Sequence, residues 1–153
     1  MKAWMLFSLL ALGIASPASA IKKIDPDPKI KKLVTAVMEA LQIEDEEKRI
    51  QAVLPYVHKT LKSRNGKTLT RDVIRFSFKK ASQNVKFYKV PANIYEVHEG
   101  RAKTVGWKET AERGRTDKYF VNKKDDVEGR PAPIAVFIPE KGGDPKVIGF
   151  GSL

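Results

Sequence analysis

The chain has 153 residues, no cysteine and a formal net charge of +11 at neutral pH. The lack of cysteine excludes disulfides, a thiol nucleophile and thiolate metal ligands, so the folded state must be held together by packing alone. A positive charge of this size on a small protein favours anionic surroundings such as envelope surfaces, polyanions or acidic partners.

Residues 1–20 have the pattern of a cleavable secretory signal peptide. Lys2 supplies a positive start, Trp4 to Ile14 are almost all apolar, and Ala18-Ser19-Ala20 matches a small-x-small cleavage site. The apolar run is shorter than the ~20 residues that a membrane-spanning helix needs. We therefore expect cleavage after Ala20 and a periplasmic or secreted product.

The remainder is expected to form one domain behind a short leader. Residues 21–28 include Asp25-Pro26-Asp27-Pro28, which cannot continue a helix and is typical of an extended segment. Residues 29–153 are long enough to bury one hydrophobic core. The sequence shows no repeat, no low-complexity segment and no second domain.

Three helices are predicted at the start of this domain. Apolar residues recur at the spacing of one helical face from about Pro28 to Gln42. The acidic run Glu44 to Glu47 suits the start of a second helix, and Pro55 inside that helix predicts a kink or two short helices that meet there. Thr70 is the expected N-cap of a third helix from Arg71 to about Gln83.

From Val85 onward the pattern becomes that of strands. Glu99-Gly100-Arg101 and Arg113-Gly114-Arg115 fit hairpin turns. The last two apolar runs do not alternate with polar residues, so we expect their hairpin at the centre of the sheet. The candidate strands are Val85 to Val90, Ile94 to His98, Ala102 to Thr110, Asp117 to Asn122, Ile134 to Ile138 and Val147 to Phe150.

Helices followed by antiparallel strands predict an α+β fold, with three N-terminal helices packed on one face of a curved, cone-like sheet. This order, with a broken second helix that ends near Tyr56-Val57-His58, resembles the nuclear transport factor 2-like superfamily, also called SnoaL-like. The resemblance implies a sheet that curves around a pocket, and in catalytic members an Asp or His acts as acid or base inside it. It also implies homodimers through the open sheet face. Here the strand positions expected to face inward carry mainly Val, Ile, Phe and Trp.

Several side chains are candidates for such a pocket. Trp107 is expected to floor an apolar pocket with Glu109 at its rim, or else to fill the core. His58 lies beside the apolar stripe of the second helix, either as a general base or as a half-exposed histidine. Strand alternation places His98 on the same face as Glu96, which suits ring orientation or a weak metal contact. Tyr95 and Tyr119 are the remaining pocket candidates.

Basic residues recur along the chain without gathering on one element. Export argues against a specific nucleic acid partner, so a solvated basic surface is the expected outcome and polyanion binding the alternative. Phe76 beside Arg75 resembles the mixture of aromatic and basic side chains that binds nucleic acid strands. The basic surface candidates are Arg75, Lys79, Lys80, Arg113 and Arg115.

No residue set in the chain specifies a reaction. The sequence lacks a Gly-x-Ser-x-Gly elbow, a His-Glu-x-x-His motif and a Walker-type loop. We therefore expect an exported, non-catalytic module that binds a small apolar ligand or a protein, without cofactor, metal site or assigned catalytic residue. Two alternatives stay open: an acid/base enzyme of the isomerase or dehydratase type acting on a hydrophobic substrate, and a basic protein that binds the envelope or a polyanion.

Overall fold

A computed structural model describes residues 26–151 and residue 153. The predicted signal peptide and most of the predicted leader lie outside these residues. Within the described part of the chain, no helix combines the length and apolar character that crossing a bilayer requires.

The first two helices begin at carboxylate caps. Helix α1 spans Pro28–Leu41 and α2 spans Glu46–Val53. The Asp27 side chain accepts a hydrogen bond from the Lys29 backbone N–H at 2.8 Å, and Asp45 accepts one from the Lys48 N–H at 2.8 Å. Such caps satisfy backbone donors that have no partner within the helix.

The predicted break at Pro55 is confirmed. Helix α2 ends at Val53 and is followed by a 3₁₀ turn over Leu54–Tyr56 and a second one over Lys59–Leu61. Proline has no amide hydrogen to donate to the preceding turn, so the α-helical ladder cannot continue through it.

The third helix covers residues 71–84 and begins after Thr70, as predicted. It contains a π-helical turn over Val73–Phe78, followed by α3 over Lys79–Asn84. A 3₁₀ turn over Val85–Phe87 extends it, so the predicted strand from Val85 to Val90 is wrong. Buried Phe78, Ala81 and Val85 follow helical spacing, and this spacing outweighed the β-branched and aromatic composition of the segment.

Within the described residues, five strands form an open antiparallel sheet, which confirms the predicted fold class of three helices packed on a curved sheet. The sheet order is β1-β3-β4-β5, and β2 pairs with β3 alongside β1. The strands are β1 Ile94–His98, β2 Ala102–Val105, β3 Glu112–Val121, β4 Ala132–Pro139 and β5 Lys146–Gly149.

Three details of the predicted sheet are wrong. Glu99-Gly100-Arg101 does not close a hairpin, because β1 and β2 both pair with β3 rather than with each other. Arg113-Gly114-Arg115 lies inside β3 and is not a turn. The final hairpin is only half central: β4 is an inner strand, whereas β5 lies at the edge, where Val57 pairs with Val147 in a parallel bridge.

The two faces of the sheet differ in what covers them. On the helix-covered face, strand residues join the buried helical residues in one hydrophobic core. On the opposite face, Phe137 is fully buried outside that core and lies under His58, with 4.8 Å between the ring centres. The strand residues of the helix-covered face include Val97, Tyr119, Val121, Ile134 and Val136.

Candidate functional site

A surface cleft of about 560 Å³ lies between α1, the turn at Pro55 and the loop that precedes β5. Its floor is apolar and consists of Leu33, Ala36, Pro55, Tyr56 and Pro145. Its charged residues are Lys29, Lys32 and Lys146, with Asp144 as the one carboxylate. We call it the lysine cleft.

Lys146 links the turn at Pro55 to the edge strand β5. It pairs with Phe137 in the β4–β5 ladder, and its Nζ donates a hydrogen bond of 2.8 Å to the Pro55 carbonyl oxygen. Because proline ends the helical ladder near this carbonyl, the oxygen is available to accept from the lysine. The cleft is thus assembled from segments about ninety residues apart in sequence.

A second, smaller pocket of about 260 Å³ adjoins the lysine cleft and shares Asp144 and Lys146 with it. It also contains His58, Lys62 and Glu112, and we call it the histidine pocket. The extended segment at Val57 and His58 reaches this position because the His58 N–H donates to the Val147 carbonyl oxygen at 2.8 Å.

His58 is 3% exposed, and both of its ring nitrogens have partners. The Thr60 backbone N–H donates to Nδ1 at 3.3 Å, and the Thr60 hydroxyl lies 2.9 Å from the same nitrogen. Because Nδ1 accepts, the ring proton is on Nε2, which lies 3.4 Å from the Glu112 carboxylate. The neutral ring therefore has no lone pair directed at the pocket.

Burial lowers the pKa of His58, and its hydrogen bond to Glu112 only partly opposes this effect. Burial raises the pKa of Glu112, but hydrogen bonds from Lys59 and His58 outweigh it and the net shift is downward. Lys59 Nζ lies 3.2 Å from the Glu112 carboxylate. The pocket thus holds a neutral imidazole and an ionised carboxylate near neutral pH.

Lys62 lines the histidine pocket and, like Lys146, has no ion-pair partner among the described residues. Burial is the main cause of its lowered pKa, and the nearby positive charge of Lys146 adds to it. Like charges held close together disfavour each other, and an anion bound between them would relieve that repulsion.

The predicted pocket residues do not converge. Trp107 is 78% exposed, so it is neither a pocket floor nor core filler, and Glu109 is exposed in the same turn. Tyr95 is 51% exposed on β1, whereas Tyr119 is buried in the core, where desolvation followed by the charge of Asp117 raises its pKa to about 12.

The turn at Trp107 explains the error in the predicted strand from Ala102 to Thr110. Strand β2 ends at Val105 because Gly106 has φ +81°, and a Cβ there would collide with the Thr110 carbonyl oxygen. The chain then forms a 3₁₀ turn over Lys108–Thr110. The predicted placement of Trp107 and Glu109 assumed that the strand continues past Val105, and it does not.

His98 and Glu96 share one strand face, as alternation predicts. Nε2 of His98 lies 3.1 Å from the Glu96 carboxylate, and the ring packs 4.5 Å from that of Phe120. Across residues 26–151 and 153, no group of three or more His, Asp or Glu side chains is positioned to hold a metal ion.

The predicted basic surface separates into two groups. Arg113 binds Glu140 at 2.7 Å, and Arg115 binds the buried Asp117 at 2.9 Å, so both arginines of β3 are neutralised by carboxylates. Arg75, Lys79 and Lys80 are exposed on the third helix and make no ion pair within the described chain.

Comparison with protein-family models, curated proteins and solved structures finds no match for this chain. The arrangement of its own residues is therefore the basis for any functional proposal.

The lysine cleft could not be found from sequence spacing. Lys146 and Pro55 meet only through the tertiary fold, and no motif links them. The signals present were local: two lysines on one turn of α1, a proline that ends a helix, and a loop rich in glycine and proline before β5. None of these indicates that the three segments meet.

Proposed function

We propose that the chain is an exported, non-catalytic binding module that holds a small organic anion with an apolar body in the lysine cleft. The main support is the composition of the cleft, which combines an apolar floor with three lysines and one carboxylate. Its volume of about 560 Å³ suits a small-molecule ligand.

The charge balance supports an anionic rather than a neutral ligand. Lys29, Lys32 and Lys146 outnumber Asp144 around the cleft, and Lys62 adds a further cation in the adjoining pocket. An acid group placed near Lys146 would meet lysines from both α1 and the sheet edge, while its apolar part would cover Tyr56 and Leu33.

The state of the histidine pocket supports a binding role over catalysis. A general base needs a lone pair within reach of the proton that it removes. The lone pair of His58 is engaged by Thr60, and the Glu112 carboxylate is engaged by Lys59 and His58. The alternative of an acid/base enzyme has no comparable support.

Membership of the nuclear transport factor 2-like superfamily remains part of this proposal and rests on element order. The proposed ligand site differs from the cone pocket that the resemblance implies. The side chains between the helices and the sheet pack as hydrophobic core, and the lysine cleft lies outside that core.

Calorimetric titration with octanoate tests the proposal, with octanol and octylamine as ligands of equal chain length but different charge. We expect octanoate to bind and the other two to bind at least ten times more weakly. Lys32→Met retains most of the side-chain length and should weaken octanoate binding about five-fold, because one exposed charge contributes ~1 kcal/mol. Lys31→Met removes the same charge from a neighbouring residue outside the lysine cleft and should change the affinity little.

The proposal would be overturned if octanoate and an aromatic acid such as benzoate both failed to bind. Equal weakening by Lys31→Met and Lys32→Met would also contradict it, because that result would indicate general attraction to a basic surface rather than a site.

A further inference from the structure

The outer side of the third helix combines exposed aromatic rings with unpaired cations. Phe76 is 65% exposed and Phe87 is 40% exposed. They are eleven residues apart, and both lie away from the buried side of this element. Two large apolar side chains exposed on one side of a helix suit contact with an apolar phase when basic side chains flank them.

The aromatic rings are not displaced core residues. The core side of the same element already contains Phe78, Ala81 and Val85, which are all buried. The buried side of the helix is thus complete without Phe76 and Phe87, which lie on the solvent side. We call the side that carries Phe76 and Phe87 the third-helix face.

One cation lies over each ring. The Arg75 guanidinium lies 5.1 Å from the centre of the Phe76 ring, and Lys86 Nζ lies 5.0 Å from that of Phe87. The cations of the third-helix face are Arg71, Arg75, Lys79, Lys80 and Lys86, and Asp72 is the one carboxylate among residues 71–87.

These five cations differ from the arginines of β3. None of them forms an ion pair with any part of the chain that the structure describes, whereas Arg113 and Arg115 both bind carboxylates. The third-helix face thus presents its positive charge outward without internal neutralisation, so an anionic partner would meet it directly.

We propose that the third-helix face docks this protein on an anionic phospholipid bilayer. The helix lies parallel to the membrane surface, its cations contact the lipid phosphates, and the two phenyl rings enter the boundary between headgroups and acyl chains. A bilayer suits this face because a helix in the interface needs apolar rings flanked by basic side chains. Nucleic acid is less suitable, because its bases stack on open ring faces and a cation already lies over each ring here.

A local fluorescent label tests the orientation. Because the chain has no cysteine, Gln83→Cys gives a single attachment point for an environment-sensitive dye between the two rings. Thr104→Cys on exposed β2 gives the matched control. With vesicles of equal parts phosphatidylglycerol and phosphatidylcholine, the Gln83 label should shift to shorter wavelength and the Thr104 label should not. Pure phosphatidylcholine vesicles should shift neither.

Vesicle co-sedimentation of variants tests the two components of the face. Lys79→Glu with Lys80→Glu, and separately Phe76→Ser with Phe87→Ser, should each reduce binding at least ten-fold. Arg101→Glu with Lys103→Glu makes the same charge change at the start of β2 and should reduce binding less than three-fold. All six side chains are exposed, so circular dichroism should show an unchanged fold.

Three results would overturn the proposal. The first is equal loss of binding by the Arg101/Lys103 control, which would indicate general attraction. The second is an unshifted label at Gln83. The third is binding to heparin or single-stranded DNA, dependent on Phe76 and Phe87, without binding to the anionic vesicles, which would identify a polyanion as the partner. Loss of octanoate binding would affect none of these results, because the lysine cleft uses no residue of the third-helix face.

Discussion

The two faces of the sheet bury their side chains in different ways. On the helix-covered face, apolar residues from β1, β3, β4 and β5 pack against three helices, and the buried carboxylate of Asp117 is paired with Arg115. On the opposite face, Phe137 is buried because the segment at His58 folds over the edge strand onto it. Burial on the first face is a property of the fold as a whole, whereas burial on the second depends on one short segment.

This difference has a functional consequence. The helix-covered face is filled by packed side chains, whereas the lysine cleft and the histidine pocket both lie at the margin of the sheet, where the segment at Pro55 and His58 meets β5. The candidate site therefore lies at the sheet edge, between the face covered by helices and the face covered by the segment at His58. If the two faces differ in this way, substitutions of buried residues should destabilise the helix-covered face more than the opposite face.

The largest effect is expected for Ile134→Ala on the helix-covered face. Ile134 is fully buried opposite Tyr119, and truncation leaves a cavity that the packed helices cannot fill. We expect a loss of about 3 kcal/mol in the free energy of unfolding, measured by urea denaturation. Ile148→Ala on half-buried β5 is the control and should cost about 1 kcal/mol. Equal losses would contradict the proposed difference.

A smaller effect is expected for Gly114→Ala on the opposite face. An added Cβ would lie 2.5 Å from the Phe137 ring and would also press on the Ile138 carbonyl oxygen. The ring or the strand must then shift, and we expect a loss of about 2 kcal/mol.

Gly149→Ala is the matched control on β5 for this substitution. Its Cβ would make an ordinary contact of 3.5 Å with Ala135, so the stability should change by less than about 0.5 kcal/mol. If both variants were neutral in urea denaturation, Phe137 would be less tightly enclosed than the structure indicates.

A pH-dependent effect is expected from His58. Its pKa is lowered by burial, so the folded state binds fewer protons than the unfolded state, in which the pKa is 6.5. Stability should therefore fall as the pH drops below about 6.5 and level off below the lowered pKa of the folded protein. Unfolding measured between about pH 7 and about pH 5 should show this loss in the wild type.

His58→Asn is the control for this titration, because asparagine retains an acceptor for the Thr60 N–H but does not titrate. The variant should lose the part of the pH dependence that comes from His58. A wild type that became more stable relative to this variant on acidification would show that the ring is stabilised in its charged form, and Nδ1 could then not be the acceptor of the Thr60 N–H.

The sequence predicts most of the fold because helical and strand spacing reflect which side is buried. The stripe of α1 and the strand at Ile94–His98 were predicted correctly on that basis. The break at Pro55 and the cap at Thr70, which accepts from the Val73 N–H, were predicted correctly from residue type. The strand predicted from Val85 was wrong because it relied on the β-branched and aromatic composition of the segment. The spacing of Val85 from Phe78 and Ala81 is helical and indicates the observed structure.

The candidate site was much less predictable. His58 was named from its place beside an apolar stripe, but its burial under a sheet edge depends on the parallel bridge between Val57 and Val147. The lysine cleft was missed because its parts are joined by the contact between Lys146 and Pro55. Local patterns indicate which side of an element is covered, but they do not indicate which distant loop meets it.

The smallest effect is expected for Trp107→Phe, which tests the turn that follows β2. The indole is 78% exposed, and the hydrogen bonds of the turn join the Thr110 hydroxyl to the Trp107 backbone N–H and carbonyl oxygen. Because these bonds do not use the indole, the free energy of unfolding should change by less than about 0.5 kcal/mol. Trp107 in the wild type should also emit at the wavelength of a solvent-exposed indole, with no response to octanoate. A blue-shifted emission that responds to octanoate would mean that the strand continues past Gly106 into a covered site, and the distinction between a filled sheet face and a marginal cleft would fail.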